Sequence, residues 1–186
     1  MDRFVQFATA ATLEALAQAK FTVDESNRDR VGILIGSGIG GINTMLAEVE
    51  ALRERGPDRV SPFLIPMMIS DSAAGMIAIR VGARGPNMSI ATACATGTNA
   101  VGEAAEMIRR GAADVMIAGA AEASIVSVAI AGMNVMGALS TRNGDPERAS
   151  RPFDKNRDGF LMGEGGAILI LESFEHAQAR GAEILC

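Results

Sequence analysis

The strongest constraint on this chain is its repeated passage from a short apolar run, through glycines or small residues, into a segment of helical spacing. Val31-Gly-Ile-Leu-Ile-Gly36 reads as a strand and Gly36-Ser-Gly-Ile-Gly-Gly41 as a turn, after which Met45, Leu46, Val49 and Leu52 share one face of a helix. The pattern returns with Met88-Ser-Ile-Ala-Thr92 as a buried strand, Ala93-Cys-Ala-Thr-Gly97 as the corner, and a helix with Val101, Ala104, Ala105 and Ile108 inward. Asp114–Gly119 and Ala167–Leu171 read as further apolar strands. Phe4, Phe7, Ala8, Ala11 and Ala15 predict an opening helix to about Lys20, and another runs from about Ser70 to Val81, ending near Gly82. Strands alternating with helices predict an α/β fold around a buried, mostly parallel sheet.

At 186 residues the chain fits one domain, long enough to bury roughly two-thirds of the surface its unfolded form exposes. With no Trp or Tyr, that core must be built from Ala, Val, Ile, Leu, Met and Phe, which implies close packing of elements. The net charge of −5 argues against general nucleic-acid binding, because a phosphate backbone needs a basic face. Only Cys94 and Cys186 are cysteines, and Met1-Asp2-Arg3-Phe4 does not open a secretory signal, so a reducing cytoplasm is the expected compartment. The stretch from Ala123 to Thr141 is uncharged, but Ser124, Ser127, Gly132, Asn134 and Gly137 interrupt it. It reads as a buried helix and not as a membrane span.

Four features could carry chemistry. Cys94 falls at a strand-to-helix corner, where the first N–H groups of the helix favour negative charge on sulfur and could hold an oxyanion; a small apolar core residue is the competing reading. A Cys–His hydrolase would need a base, and the single histidine, His176, falls on what reads as a charged, solvated surface helix. Gly36–Gly41 matches the G-x-G-x-x-G dinucleotide fingerprint. The ribose-binding acid would fall near Asp58 in a Pro-rich loop, so glycines for tight helix-on-sheet packing are the better reading. Asp154-Lys-Asn-Arg-Asp158-Gly159 opens like a calcium loop, yet its closing position 165 is Gly and Glu164 comes one residue early. A charged loop, with Arg151 and Arg157 available to Asp154, Asp158 or Glu164, is expected instead. Arg53, Arg55 and Arg59, interspersed with acids, read as a solvated face that could contribute to docking an acidic protein.

Taken in order, these segments resemble the N-terminal half of the β-ketoacyl-[acyl-carrier-protein] synthases, in their type II form. The resemblance is carried by Gly36-Ser-Gly-Ile-Gly-Gly41, Ser61-Pro-Phe, Pro66-Met-Met, Thr92-Ala-Cys-Ala-Thr-Gly-Thr-Asn99, Ile117-Ala-Gly-Ala-Ala-Glu-Ala123, Ala138-Leu-Ser-Thr-Arg142, Ser150-Arg-Pro-Phe-Asp154 and Gly163-Glu-Gly165. It implies a thiolase-like layered α/β/α fold, of which residues 1–186 would be one incomplete half, lacking a first strand and the whole C-terminal half. It also implies that Cys94 takes an acyl group from acyl carrier protein, before malonyl carrier protein is decarboxylated and condensed with it, without metal or cofactor. Ile39 and Met133 would line the acyl pocket, the Cys94 N–H would supply half the oxyanion hole, and the intact enzyme would be a homodimer. Gly137 stands where many relatives carry a basic docking residue, which leaves Arg59 as the carrier-protein contact. The family's second half brings two histidines and a lysine that assist decarboxylation, so the alternative reading is a non-catalytic binding or dimerisation fragment. Half of a two-lobed fold would also expose an apolar face that favours association.

Overall fold

The computed structural model describes all 186 residues. They form two compact units, Met1–Ala123 with Gly165–Cys186, and Ser124–Glu164. In chain order the elements are α1 (Arg3–Gln18), β1 (Val31–Gly36), α2 (Ile42–Arg55), α3 (Leu64–Met68), α4 (Ser72–Val81), β2 (Asn87–Met88), α5 (Thr96–Arg109), β3 (Val115–Glu122), α6 (Ser127–Val135), β4 (Gly165–Glu172) and α7 (Phe174–Ala179).

The larger unit holds a sheet of order β2-β1-β3-β4, in which β1 runs parallel to both β2 and β3 while β4 is antiparallel to β3. Strand alternation sends Val31, Ile33, Ile35, Val115 and Ile117 to one face, where they meet Phe4, Val5 and Ala8 of α1 and Ala73, Ala74 and Ile77 of α4. Leu34, Met116 and Ala118 point to the other face and pack on Ala100, Ala104 and Met107 of α5. The result is a layered α/β/α arrangement, and each large apolar side chain withdrawn in this way contributes about 1.5–3 kcal/mol. Small residues let the layers close up: a β-carbon on Gly32 would run into the Met116 side chain and the Pro86 carbonyl.

Asp2 caps α1 by accepting from Phe4 N (3.4 Å). Its other oxygen accepts from the N–H and hydroxyl of Thr44 (2.8 and 2.7 Å), so it also serves the first turn of α2, whose own N-cap is Gly41.

Several sequence expectations need correction. The strand expected over Met88–Thr92 shrinks to Asn87–Met88 and is exposed, because β2 is an edge strand with only β1 beside it and the chain peels away into the Cys94 turn. Met45, Leu46, Val49 and Leu52 do fall on the helix the spacing predicts, α2, and remain 36–47% exposed, since α2 packs on the short α3 and not on the sheet. The short α3 itself arises inside the Pro-containing stretch read as loop. On α5 the fully buried positions are Thr96, Ala100, Ala104 and Met107, one step around from the expected face; Val101 and Ile108 are only partly covered. The smaller unit contradicts the expectation of a buried helix: no residue of α6 is buried and Val135 is 88% exposed, because residues 124–164 provide no sheet for it to cover. No helix of the chain is long and apolar enough to cross a membrane. Phe63, Ile65 and Ile79 are also strongly exposed.

His176 is not the solvated surface residue expected. Its Nδ1 lies 2.7 Å from Glu172 Oε2, and Arg180 grips the same carboxylate through Nε (2.7 Å) and its terminal nitrogen while its guanidinium covers the Phe21 ring. Burial presses the Glu172 carboxyl upward, but the hydrogen bonds and charges of Arg180 and His176 outweigh it and hold the group below the ordinary range near 4.5. A carboxylate lowered by folding stabilises the protein above its unfolded pKa, and that contribution is lost as pH falls through the folded value. Glu172→Gln is therefore expected to cost about 2–3 kcal/mol at neutral pH. Melting temperatures measured from pH 7 down through pH 4 should converge with those of the wild type as the acid limb is entered.

Candidate active site

Cys94 occupies the middle of a 3₁₀ turn, Ala93–Ala95, that runs directly into α5. Thr96 builds this turn: its buried hydroxyl accepts from Thr92 N (2.9 Å) and donates to the Ala93 carbonyl (2.7 Å). Thr92 in turn donates its hydroxyl to Asn99 Oδ1 (2.7 Å). Ala93 is held at φ +51°, a left-handed conformation that costs a residue with a β-carbon roughly 1–2 kcal/mol. The turn exposes Cys94 as a free thiol, so the small-core-residue reading does not hold. Its N–H donates to no protein acceptor, and Ala95, the N-cap of α5, offers no side-chain oxygen to the helix's first amides. A nucleophile, an unspent donor and the positive end of a helix therefore coincide, which is what addition to a carbonyl requires.

The glycine loop after β1 lies against this turn. Gly36 has no room for a β-carbon, which would collide with Thr96 Cγ2 and the Ile90 carbonyl; one on Gly38 would come within 3.9 Å of Ala93 Cα. The loop's amides are spoken for. Glu122, at the end of β3, accepts from Gly38 N (2.9 Å) and Ile39 N (3.1 Å) on one oxygen and from the Ser37 hydroxyl (3.2 Å) on the other, while Ser37 Oγ accepts from Gly40 N (2.9 Å). N–H groups committed to a protein carboxylate cannot cradle a pyrophosphate, so close packing accounts for the glycines. Ile39 projects from this loop half exposed. Sequence reading passed over Glu122 as a site residue; its one signal is a carboxylate closing an otherwise apolar strand.

His176 is far from the thiol. Glu172 pairs with Val115 at the start of β3, whereas Glu122 at its end touches the loop beside Cys94. Seven strand steps of about 3.3 Å put roughly 23 Å of sheet between them. Arg59 ends an exposed 3₁₀ turn, Pro57–Arg59, without an ion-pair partner, and Arg53 pairs with Glu50 (3.8 Å).

In the Ser124–Glu164 unit, Met133 is partly buried on α6. The calcium-like loop there is internally bonded. Asp154 accepts from Asn156 N (2.6 Å), and Asp158 accepts from the Ser140 hydroxyl (2.7 Å) and Thr141 N (3.1 Å). The hydroxyl of Ser140 is the main cause holding the Asp158 carboxyl below its ordinary range. Arg151 lies 3.9 Å from Asp154 as expected, but the cation facing Asp158 is Arg142, and Arg157 donates to the Asp154 carbonyl.

The chain is similar in sequence and fold to β-ketoacyl synthases. Over 184 residues the chain is 53% identical to 3-oxoacyl-[acyl-carrier-protein] synthase 2 of Staphylococcus aureus, covering 99% of this chain and 45% of that protein. It is 52% identical to the enzyme of that name from Synechocystis, covering 99% and 44%. A β-ketoacyl synthase crystal structure from Burkholderia phymatum superposes with a TM-score of 0.87 at 36% identity, over 99% of this chain and 45% of that one. A structure described as a type II PKS acyl-carrier protein in complex with its ketosynthase bound to the hexaketide gives 0.89 at 36%, over 98% and 46%. The chain thus spans less than half the length of these relatives, and its fold is theirs, thiolase-like. Residues 1–177 match the family model "Beta-ketoacyl synthase, N-terminal domain", and the chain belongs to that family.

Proposed function

We propose that this chain is the acyl-accepting half of a β-ketoacyl-[acyl-carrier-protein] synthase acting in cytoplasmic fatty-acid elongation. The observation that carries the reading is the exposed Cys94 thiol beside its own unspent N–H at the start of α5. In the transfer step Cys94 Sγ attacks the thioester carbonyl of an acyl carrier protein, the Cys94 N–H donates a hydrogen bond to the oxyanion, and collapse expels the carrier's thiol, which leaves with the proton lost by the Cys94 thiol. Exchange between two thioesters is nearly balanced and requires no metal or cofactor. Ile39, half exposed on the loop that lies against the Cys94 turn, lines the acyl pocket, and Arg59, exposed and unpaired, meets the acidic carrier.

Condensation is a separate matter. Loss of CO₂ from a malonyl thioester produces a carbanion that attacks the Cys94-bound acyl carbon and expels Cys94 as its thiolate, which takes up a proton from solvent. His176, held against Glu172 at the other end of the sheet, is not placed to assist. That observation favours a division of labour in which residues 1–186 hold the acyl group and residues beyond them, in an assembly with the family's homodimeric form, complete the reaction. Without that complement the chain would be a non-catalytic binding fragment for the second step.

Intact-mass spectrometry of the purified chain after incubation with hexadecanoyl carrier protein is expected to show one acyl equivalent, mapped to the Cys94 peptide and removed by hydroxylamine. The absence of any adduct on a chain shown by circular dichroism to be folded would reject the reading.

A further inference from the structure

We infer that Glu122 is a positioning residue that fixes the Gly36–Gly40 loop, and with it the Ile39 side chain, against the Cys94 turn, and so selects among acyl chains offered to the thiol. The acyl substrate rests on the function proposed above; the positioning stands on geometry alone.

A glutamate at the end of a strand has no local reason to point back at a neighbouring loop. Glu122 nevertheless spends both oxygens there, on the N–H groups of Gly38 and Ile39 and on the hydroxyl of Ser37. Ser37, 2% exposed, passes the restraint on to Gly40 N. Three consecutive amides are thereby tied to one carboxylate, and charge-assisted bonds of this kind are about twice as strong as neutral ones. The tie can matter to chemistry because of what the loop touches. Gly36 abuts Thr96, whose hydroxyl shapes the Cys94 turn, and Gly38 faces Ala93, the residue held at positive φ immediately before the nucleophile. Ile39 N is itself a partner of the carboxylate, so releasing Glu122 frees the backbone from which the half-exposed Ile39 side chain projects. Cys94 keeps its own support from Thr96 and α5, so what changes is the wall beside the thiol and not the thiol.

The variants separate positioning from bulk stability. In Glu122→Gln the amide oxygen still accepts from Gly38 and Ile39 while its NH₂ donates to Ser37, so geometry survives without charge. Glu122→Asp keeps the charge but falls one methylene short, and Glu122→Ala removes the tie. Hydrogen exchange at the Gly38, Ile39 and Gly40 amides of the purified chain is expected to quicken by at least about tenfold in the Ala and Asp variants, and to stay within about threefold of wild type in Gln. Competition between hexanoyl and hexadecanoyl carrier thioesters for Cys94, read by intact mass, should shift by about tenfold in Ala and Asp, with Gln restoring the wild-type ratio. Unchanged loop exchange in Ala and Asp overturns the positioning, and quickened exchange with an unchanged chain-length ratio overturns the selectivity. If Glu122→Ala does not fold, the contrast between Asp and Gln decides. If the wild type takes no acyl group, the acyl-transfer function and the selectivity fall together, while loop exchange still judges the positioning.

Discussion

Cys94→Ala is expected to abolish the acyl adduct, with labelling from hexadecanoyl carrier protein falling by more than about a thousandfold, as when the attacking atom itself is removed from a covalent catalyst. No other side chain can take its place. The second thiol, Cys186, is exposed but belongs to the irregular segment after α7, away from the turn that Thr96 builds. Cys186→Ala should therefore label like the wild type. Stability should barely respond to the loss of Cys94, because an exposed side chain leaves no cavity, and surface changes of this kind fall within about ±0.5 kcal/mol. A folded Cys94→Ala chain that still acquires an acyl group would move the chemistry elsewhere and end the proposed function. Loss of the adduct in Cys186→Ala alone would do the same.

Gly119→Ala should be the most damaging small substitution in the larger unit. Gly119 lies mid-strand in β3, between β1 and β4, paired with Ile35 on one side and Ile168 on the other. A β-carbon there would run into the backbone carbonyl of Ala167, and a carbonyl in a strand ladder cannot swing away as a side-chain tip can. The β3–β4 pairing must open locally or the strands must shift. Overpacking of this kind costs about 3 kcal/mol, at the upper end of the usual range, and for a chain of this length that is a fall of about 6–12 °C in Tm. Gly97→Ala provides the control, since its β-carbon would meet the Ala120 side chain at an ordinary 3.6 Å and should cost little. Thermal melts of the two variants side by side test the argument, and equal Tm values would contradict it.

The sequence by itself pointed to the layered α/β architecture, because apolar runs such as Val31–Gly36 and Asp114–Gly119, alternating with helical segments, read as strands covered on both faces. It also placed Cys94 at the start of a helix, since small residues and a following helical period are local signals, although the strand before it ends at Met88. What it could not reveal was anything set by distant partners. The face of α2 carrying Met45 and Leu46 stays partly open because α2 meets α3 and not the sheet, and the outward turn of β2 follows from its edge position in the sheet order. Glu122 reads as one charge closing an apolar strand until β1 and β3 pair and bring it to Gly38 and Ile39, more than eighty residues earlier in the chain. His176 likewise reads as solvated until the fold brings the Phe21 ring to 6.0 Å from its own, at the end of the sheet away from Cys94. Periodicity and turn chemistry are properties of neighbours along the chain, and the sequence holds them directly. Hydrogen bonds across tens of residues exist only after the sheet order is chosen, and the tertiary structure alone decides them.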